Sequence, residues 1–67
     1  MTFGERIHEL RKEKNLTLSQ LADLANVSIM TLSKIENNRY KPSVLTVGKL
    51  ANIFDEAKDE LWHLANK

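Results

Sequence analysis

The sequence predicts an all-α fold, a compact bundle of five short helices over residues 3–14, 18–25, 29–36, 44–54 and 58–65. Two observations lead there. Apolar residues recur at three- and four-residue spacing along each segment, which lines one face of an amphipathic helix. The strict alternation and β-branched enrichment that mark strands appear nowhere.

The first helix opens on a capping box. Thr2 stands three residues before Glu5, so its hydroxyl can accept from the Glu5 amide while the carboxylate returns to the Thr2 amide. Phe3, Ile7 and Leu10 form its inner face, and the helix is expected to reach about Lys14, with Asn15 placed to turn the chain through the left-handed region. Thr17 and Gln20 repeat the capping box for the second helix, with Leu16 and Leu21 at hydrophobic-staple spacing and Leu18, Leu21, Ala22 and Ala25 facing inward.

Between the second and third helices the chain must reverse sharply at Ala25-Asn26-Val27, and Asn is the usual choice after Gly for a left-handed residue. Ala22 is expected where the two helices cross; a larger side chain there would overpack, costing about 1–3 kcal/mol. Ser28 is placed as the N-cap of the third helix, Val27 and Leu32 repeat the staple spacing, and Leu32 and Ile35 face inward. The fourth helix begins after Ser43 with Val44, Val47, Leu50, Ala51 and Phe54 at helical spacing, although Gly48 in its interior costs up to ~1 kcal/mol against Ala. The last, from Lys58 to Ala65, carries Leu61, Trp62 and Leu64.

Sixty-seven residues make one domain, 1–67, whose size lets it bury only about 60% of its unfolded surface, so association with a second copy would help it. There is no cysteine, hence no disulfide or thiolate metal site. With neither a membrane-spanning apolar run nor a signal-peptide pattern, a cytoplasmic location and no membrane partner are expected. The net charge is only +1, but it is uneven. Residues 1–27 balance four basic against four acidic groups; residues 28–54 set Lys34, Arg39, Lys41 and Lys49 against Glu36 alone; residues 55–67 set Lys58 and Lys67 against Asp55, Glu56, Asp59 and Glu60. The positive surface therefore belongs to the third helix and the loop after it, where a polyanion would be met.

Thr17 to Glu36 reads as two short helices joined by a tight turn, and the match to a known pattern runs beyond it. Phe3-Gly4-Glu5-Arg6-Ile7, Leu10-Arg11, Ile35-Glu36-Asn37-Asn38 and Pro42-Ser43 fall at the same spacing. From residue 2 to about 61 the chain resembles the Cro/cI-like repressor family, also called the xenobiotic-response-element family. The resemblance implies a lambda-repressor-like helix-turn-helix domain and a homodimeric, sequence-specific transcriptional repressor. Its helix 29–36 would enter the major groove of a double-stranded, palindromic DNA operator. Asn15, Asn26 and Asn38 stand where that family most often has Gly.

By that resemblance Ile29, Met30, Ser33 and Lys34 are the base-contacting positions. Lys34 can donate to guanine O6 and N7 or sit on a phosphate. Ile29 and Met30 replace the polar residues more common in the family; either one of them turns inward as core, or they touch thymine methyl groups. Candidate phosphate contacts are Thr17 with the amides after it, the Ser28 and Thr31 hydroxyls, and the loop Asn37, Asn38, Arg39, Tyr40 and Lys41. Tyr40 is open between phosphate ligand, loop packing and dimer contact. Leu18 stands where many members carry a phosphate-binding Gln, so that contact is expected to be missing or limited to backbone amides.

Arg11 and Glu36 resemble the family's ion pair between the first helix and the end of the third, the alternative being two independent surface charges. Leu45, Ile53, Leu61 and Trp62 are the expected dimer surface, unless Trp62 closes the bottom of the core. A second function class is a protein-interaction module, such as the antitoxin of a toxin–antitoxin pair, with a protein partner. An enzyme is not expected: His8 and His63 lie beside charged residues and are read as solvated, and nothing assembles a catalytic, metal or cofactor site.

Overall fold

The computed structural model describes residues 1–66; Lys67, counted above in the charge balance and the 1–67 domain, lies outside them. Five α-helices form, α1 (Phe3–Glu13), α2 (Leu18–Ala25), α3 (Ile29–Glu36), α4 (Val44–Ile53) and α5 (Lys58–Ala65), with no strand among the described residues. Lys14 and Phe54, expected to be the last helical residues of α1 and α4, instead cap them. Asp55–Ala57 adds a single 3₁₀ turn before α5, an unanticipated connector that begins beside the fully buried Phe54.

The helix starts follow from their caps. Thr2 Oγ1 accepts from the Glu5 amide at 3.1 Å and Glu5 Oε1 accepts from the Thr2 amide at 2.8 Å; Thr17 and Gln20 repeat this at 3.0 and 2.8 Å. Ser28 and Ser43 accept from the Thr31 and Thr46 amides at 3.0 and 3.2 Å. Such a cap satisfies one of the amides that the first turn leaves unpaired.

The first three helices stop in the same way. Asn15, Asn26 and Asn38 all have positive φ, at 57°, 55° and 60°. After α1, Leu16 N–H donates back to Arg11 O and Asn15 N–H to Lys12 O; after α2, Val27 donates to Ala22 and Asn26 to Asp23; after α3, Arg39 donates to Lys34 and Asn38 to Ile35. These paired six-to-one and five-to-two bonds are Schellman closures, each turning on an asparagine that tolerates the left-handed region.

The helices enclose one core whose largest fully buried side chains are Phe54, Ile7, Leu10, Leu21, Leu32, Ile35, Leu50 and Leu61. Helix α1 packs on α3 and α5, α2 on α3 and α4, and α4 on α5. Ala22 is buried and Leu18 packs against the core only partly. Val44, expected inside, is 75% exposed. It is the first residue of α4, and a helical side chain leans toward the N-terminus, so here it projects past the helix end rather than onto the core.

Two glycines set close approaches. A Cβ at Gly4 would overlap the Ile35 carbonyl oxygen, so α1 can lie on the last turn of α3 only with glycine there. At Gly48 a Cβ would stand 3.6 Å from the Trp62 ring, an ordinary contact; Trp62 lies over this bare stretch of α4. On the far side Arg6 gathers three carboxylates, Glu60 at 2.9 Å, Glu9 at 3.1 Å and Glu13 at 3.6 Å, and Lys14 meets Glu56 at 3.1 Å. Of these solvent-facing pairs, Arg6–Glu60 and Lys14–Glu56 join α1 to α5 and to the turn before it, and water screens them.

Candidate nucleic-acid interface

Because Leu32 and Ile35 take the core side of α3, its other side is presented outward. Ile29 and Met30 are 49% and 67% exposed, which overturns the reading that one of them turns inward. Lys34 is exposed and Ser33 half-buried. Ile29, Ser33 and Asn37 stand four residues apart along one row, with Met30 and Lys34 beside them, so these side chains share one outer face.

The hydroxyl and amide groups around that face are partly committed. Ser28 Oγ accepts from the Thr31 amide and donates to Thr31 Oγ1 at 2.8 Å, leaving the Thr31 proton. Thr17 Oγ1 accepts only from the Gln20 amide, and its proton has no partner among the described residues. Asn37 Nδ2 donates to Ser33 O at 2.8 Å, and Asn38 bonds Thr2 at 2.8 Å. Arg39, Tyr40 and Lys41 are exposed. Tyr40 also flanks a groove shared with Phe3, Pro42 and Leu64.

Arg6, Arg11 and Lys14 on and beside α1 are ion-paired, whereas Lys12, Lys34, Arg39, Lys41, Lys49 and Lys58 form no ion pair among the described residues. Glu36, the one acidic residue in residues 28–54, is removed from the surface. Its side chain is 5% exposed and held by Arg11, whose Nε and Nη2 donate to separate carboxylate oxygens at 2.8 and 3.0 Å. Arg11 Nη1 also donates to Leu16 O at 3.0 Å. His8 Nδ1 stands 2.8 Å from Glu36 Oε1 and 3.2 Å from Arg11 Nη2, so His8 is a third member of this group and not simply solvated.

Of the four residues expected at a dimer surface, Leu61 is fully buried core and is excluded from any surface. In a helix of two turns, spacing alone did not separate the phase of Leu61 from that of Trp62. Ile53 and Trp62 are partly buried against the core. Leu45 is 70% exposed, and its neighbour there is the unexpectedly exposed Val44.

A family model described as helix-turn-helix matches residues 7–61 of this chain. The chain belongs to that helix-turn-helix family, in its Cro/cI-like, xenobiotic-response-element branch. Its relatives include the immunity repressor protein of Bacillus phage phi105, 49% identical over 76% of this chain and 35% of the relative. The HTH-type transcriptional regulator RghRB of Bacillus subtilis is 44% identical over 94% of this chain and 46% of its own length. The transcriptional repressor RghR of the same organism is 45% identical over 75% and 38%. The chain thus spans 30% to 49% of the length of the relatives it matches. No solved structure matches it significantly.

Within this helix-turn-helix domain sequence reasoning missed the contacts of Gly4 and His8 on α1 and the one that Thr2, its N-cap, makes with Asn38. Gly4 shows only as a glycine in a first turn, and its reason is a backbone from another helix. His8 precedes Arg11 by three residues, hence on the same helical face, and that spacing was the available signal. The Thr2–Asn38 bond joins residues 36 apart and has no local signature. Among the described residues no His, Cys, Asp and Glu cluster could hold a metal, and no helix is long and apolar enough to cross a membrane.

Proposed function

We propose that this chain is the DNA-binding domain of a cytoplasmic transcriptional repressor, with α3 in the major groove of a double-stranded operator. The observation that carries the reading is an outward α3 face, Ile29, Met30, Ser33 and Lys34, followed by a loop with Arg39 and Lys41, which like Lys34 form no ion pair among the described residues. A polyanion is the partner such a surface lacks. The relatives' names, which include repressors and transcriptional regulators, support the same reading.

Ile29 and Met30 contact thymine methyl groups, and Lys34 donates to a guanine edge or a phosphate. Thr17, Ser28, Thr31, Asn37, Asn38, Arg39, Tyr40 and Lys41 supply backbone contacts that set register and affinity. Leu18 adds none, because it is apolar and packs on the core. Two copies bind a palindromic site, associating through an apolar surface centred on Leu45 and Val44.

Selection of bound duplexes from a random pool tests this. The expected product is a two-fold symmetric site with T-rich half-sites in which replacing thymine by uracil at contacted positions weakens binding. Enrichment of no site, together with co-purification of a protein partner, would overturn it in favour of the interaction-module reading.

A further inference from the structure

The side chain of Thr2 spans from the start of α1 to the turn that closes α3. Its Oγ1 accepts from the Glu5 amide at 3.1 Å and donates to Asn38 Oδ1 at 2.8 Å. A hydroxyl has one proton, and here it goes to Asn38. The Asn38 carboxamide is therefore held with its oxygen toward α1. Its amino group, with two N–H donors, makes no hydrogen bond among the described residues, and Asn38 is exposed.

The backbone beneath this side chain is fixed as well. Asn38 sits at φ 60°, its N–H donates to Ile35 O at 3.1 Å, and the next amide, of Arg39, donates to Lys34 O at 2.8 Å. Gly4 lies against both the Ile35 carbonyl and the Asn38 carboxamide oxygen, so α1 cannot drift from the turn without opening that contact. The result is a donor of set direction on a turn whose neighbours Lys34, Arg39 and Lys41 are all cations without ion pairs among the described residues. A fixed N–H donor among free cations matches an anionic oxygen.

We propose that Thr2 is a positioning residue for DNA binding: its hydroxyl orients the Asn38 carboxamide so that Nδ2 donates to a backbone phosphate. The proposal rests on the reading of Asn38 as a phosphate contact. It makes the N-cap of α1 part of the affinity of the α3 surface, although Thr2 itself touches no nucleotide.

The test measures affinity for the selected duplex and the unfolding midpoint of the full chain in five forms: wild type, Thr2→Ser, Thr2→Asp, Asn38→Gly and the Thr2→Asp/Asn38→Gly double variant. Serine keeps both the cap and the proton. Aspartate keeps the cap but has no proton to give, and adds a charge whose own effect is read in the Asn38→Gly background. Glycine at 38 suits the left-handed backbone and removes the carboxamide.

Thr2→Ser is expected to bind as wild type. Asn38→Gly is expected to weaken binding about ten-fold, the order of one hydrogen bond to a charged group. Thr2→Asp is expected to weaken binding about ten-fold more in the wild-type background than in the Asn38→Gly background, with the midpoint kept. Equal losses in both backgrounds, no loss in Asn38→Gly, or losses that appear only with a lowered midpoint overturn the positioning role alone. Failure of the wild type to bind any duplex overturns the DNA reading and this proposal together.

Discussion

Arg11 grips both oxygens of Glu36, Nε on one at 2.8 Å and Nη2 on the other at 3.0 Å, joining the last third of α1 to the last residue of α3. Their side chains are 11% and 5% exposed, so the pair is shielded from solvent on both sides. Glu36 lies at the negative end of the α3 dipole, where a bare carboxylate is unfavourable, and the guanidinium offsets it. The same contact braces α3 and keeps negative charge off the surface that carries Lys34, Arg39 and Lys41.

Removing Arg11 leaves a buried carboxylate and strips the Leu16 carbonyl of its donor. Arg11→Ala should therefore cost about 3–5 kcal/mol in urea denaturation, and Arg11→Lys should recover only part, because an ammonium cannot grip two oxygens in one plane. A loss below about 1 kcal/mol would mean the pair behaves as a surface one.

The two glycines should respond in opposite directions to the same substitution. Gly4→Ala drives a methyl into a backbone carbonyl that has no rotamer to escape to, and should destabilise by about 1–3 kcal/mol. Gly48→Ala meets only ordinary contact with Trp62 and should stabilise by about 0.5–1 kcal/mol through helix propensity. Thermal unfolding of both variants checks the pair.

Much of the fold was legible because it is written locally. The caps made by Thr2, Thr17 and Ser28 and the backbone turns at the three asparagines are each closed by neighbours within five residues, and spacing along the chain reports such contacts faithfully. What escaped depends on distant partners or on phase within a short helix. Arg6 meets Glu60 across 54 residues, and Gly4 answers to Ile35. The exposure of Val44 and the burial of Leu61 are not legible in the sequence, because two or three turns do not fix which way a first residue or one of two adjacent apolar residues points. At the candidate site the outward face of α3 was legible from its inward one, while the commitments of Asn38 and His8 needed the tertiary structure.

Acid should weaken the domain through its caps. The Thr2 backbone N–H holds the Glu5 carboxyl below its ordinary value of 4.5, and Glu56 is lowered by its own backbone amide and then by Lys14. A folded-state value below the unfolded one adds stability that is present above the ordinary range and lost as pH falls through the lowered value. The unfolding midpoint should fall as pH drops below 4.5, and fall less steeply in Glu5→Gln. Identical profiles for wild type and variant would remove Glu5 from this effect.

Salt dependence separates phosphate contacts from base contacts. Each of Arg39 and Lys41, replaced singly by Ala, should lower the slope of log affinity against log salt by about 0.9 if it neutralises one phosphate. An unchanged slope would take that residue off the backbone.

That the outer face of α3 reads DNA is tested most directly by the ratio of affinities for the selected duplex and a scrambled one of equal length. The wild type should show a ratio of about 10³ or more at physiological salt. In the Ile29→Ala/Met30→Ala/Lys34→Ala variant the ratio should fall toward one with the unfolding midpoint kept, since all three side chains are exposed. A wild type without preference, or a preference that survives the triple substitution, would contradict it.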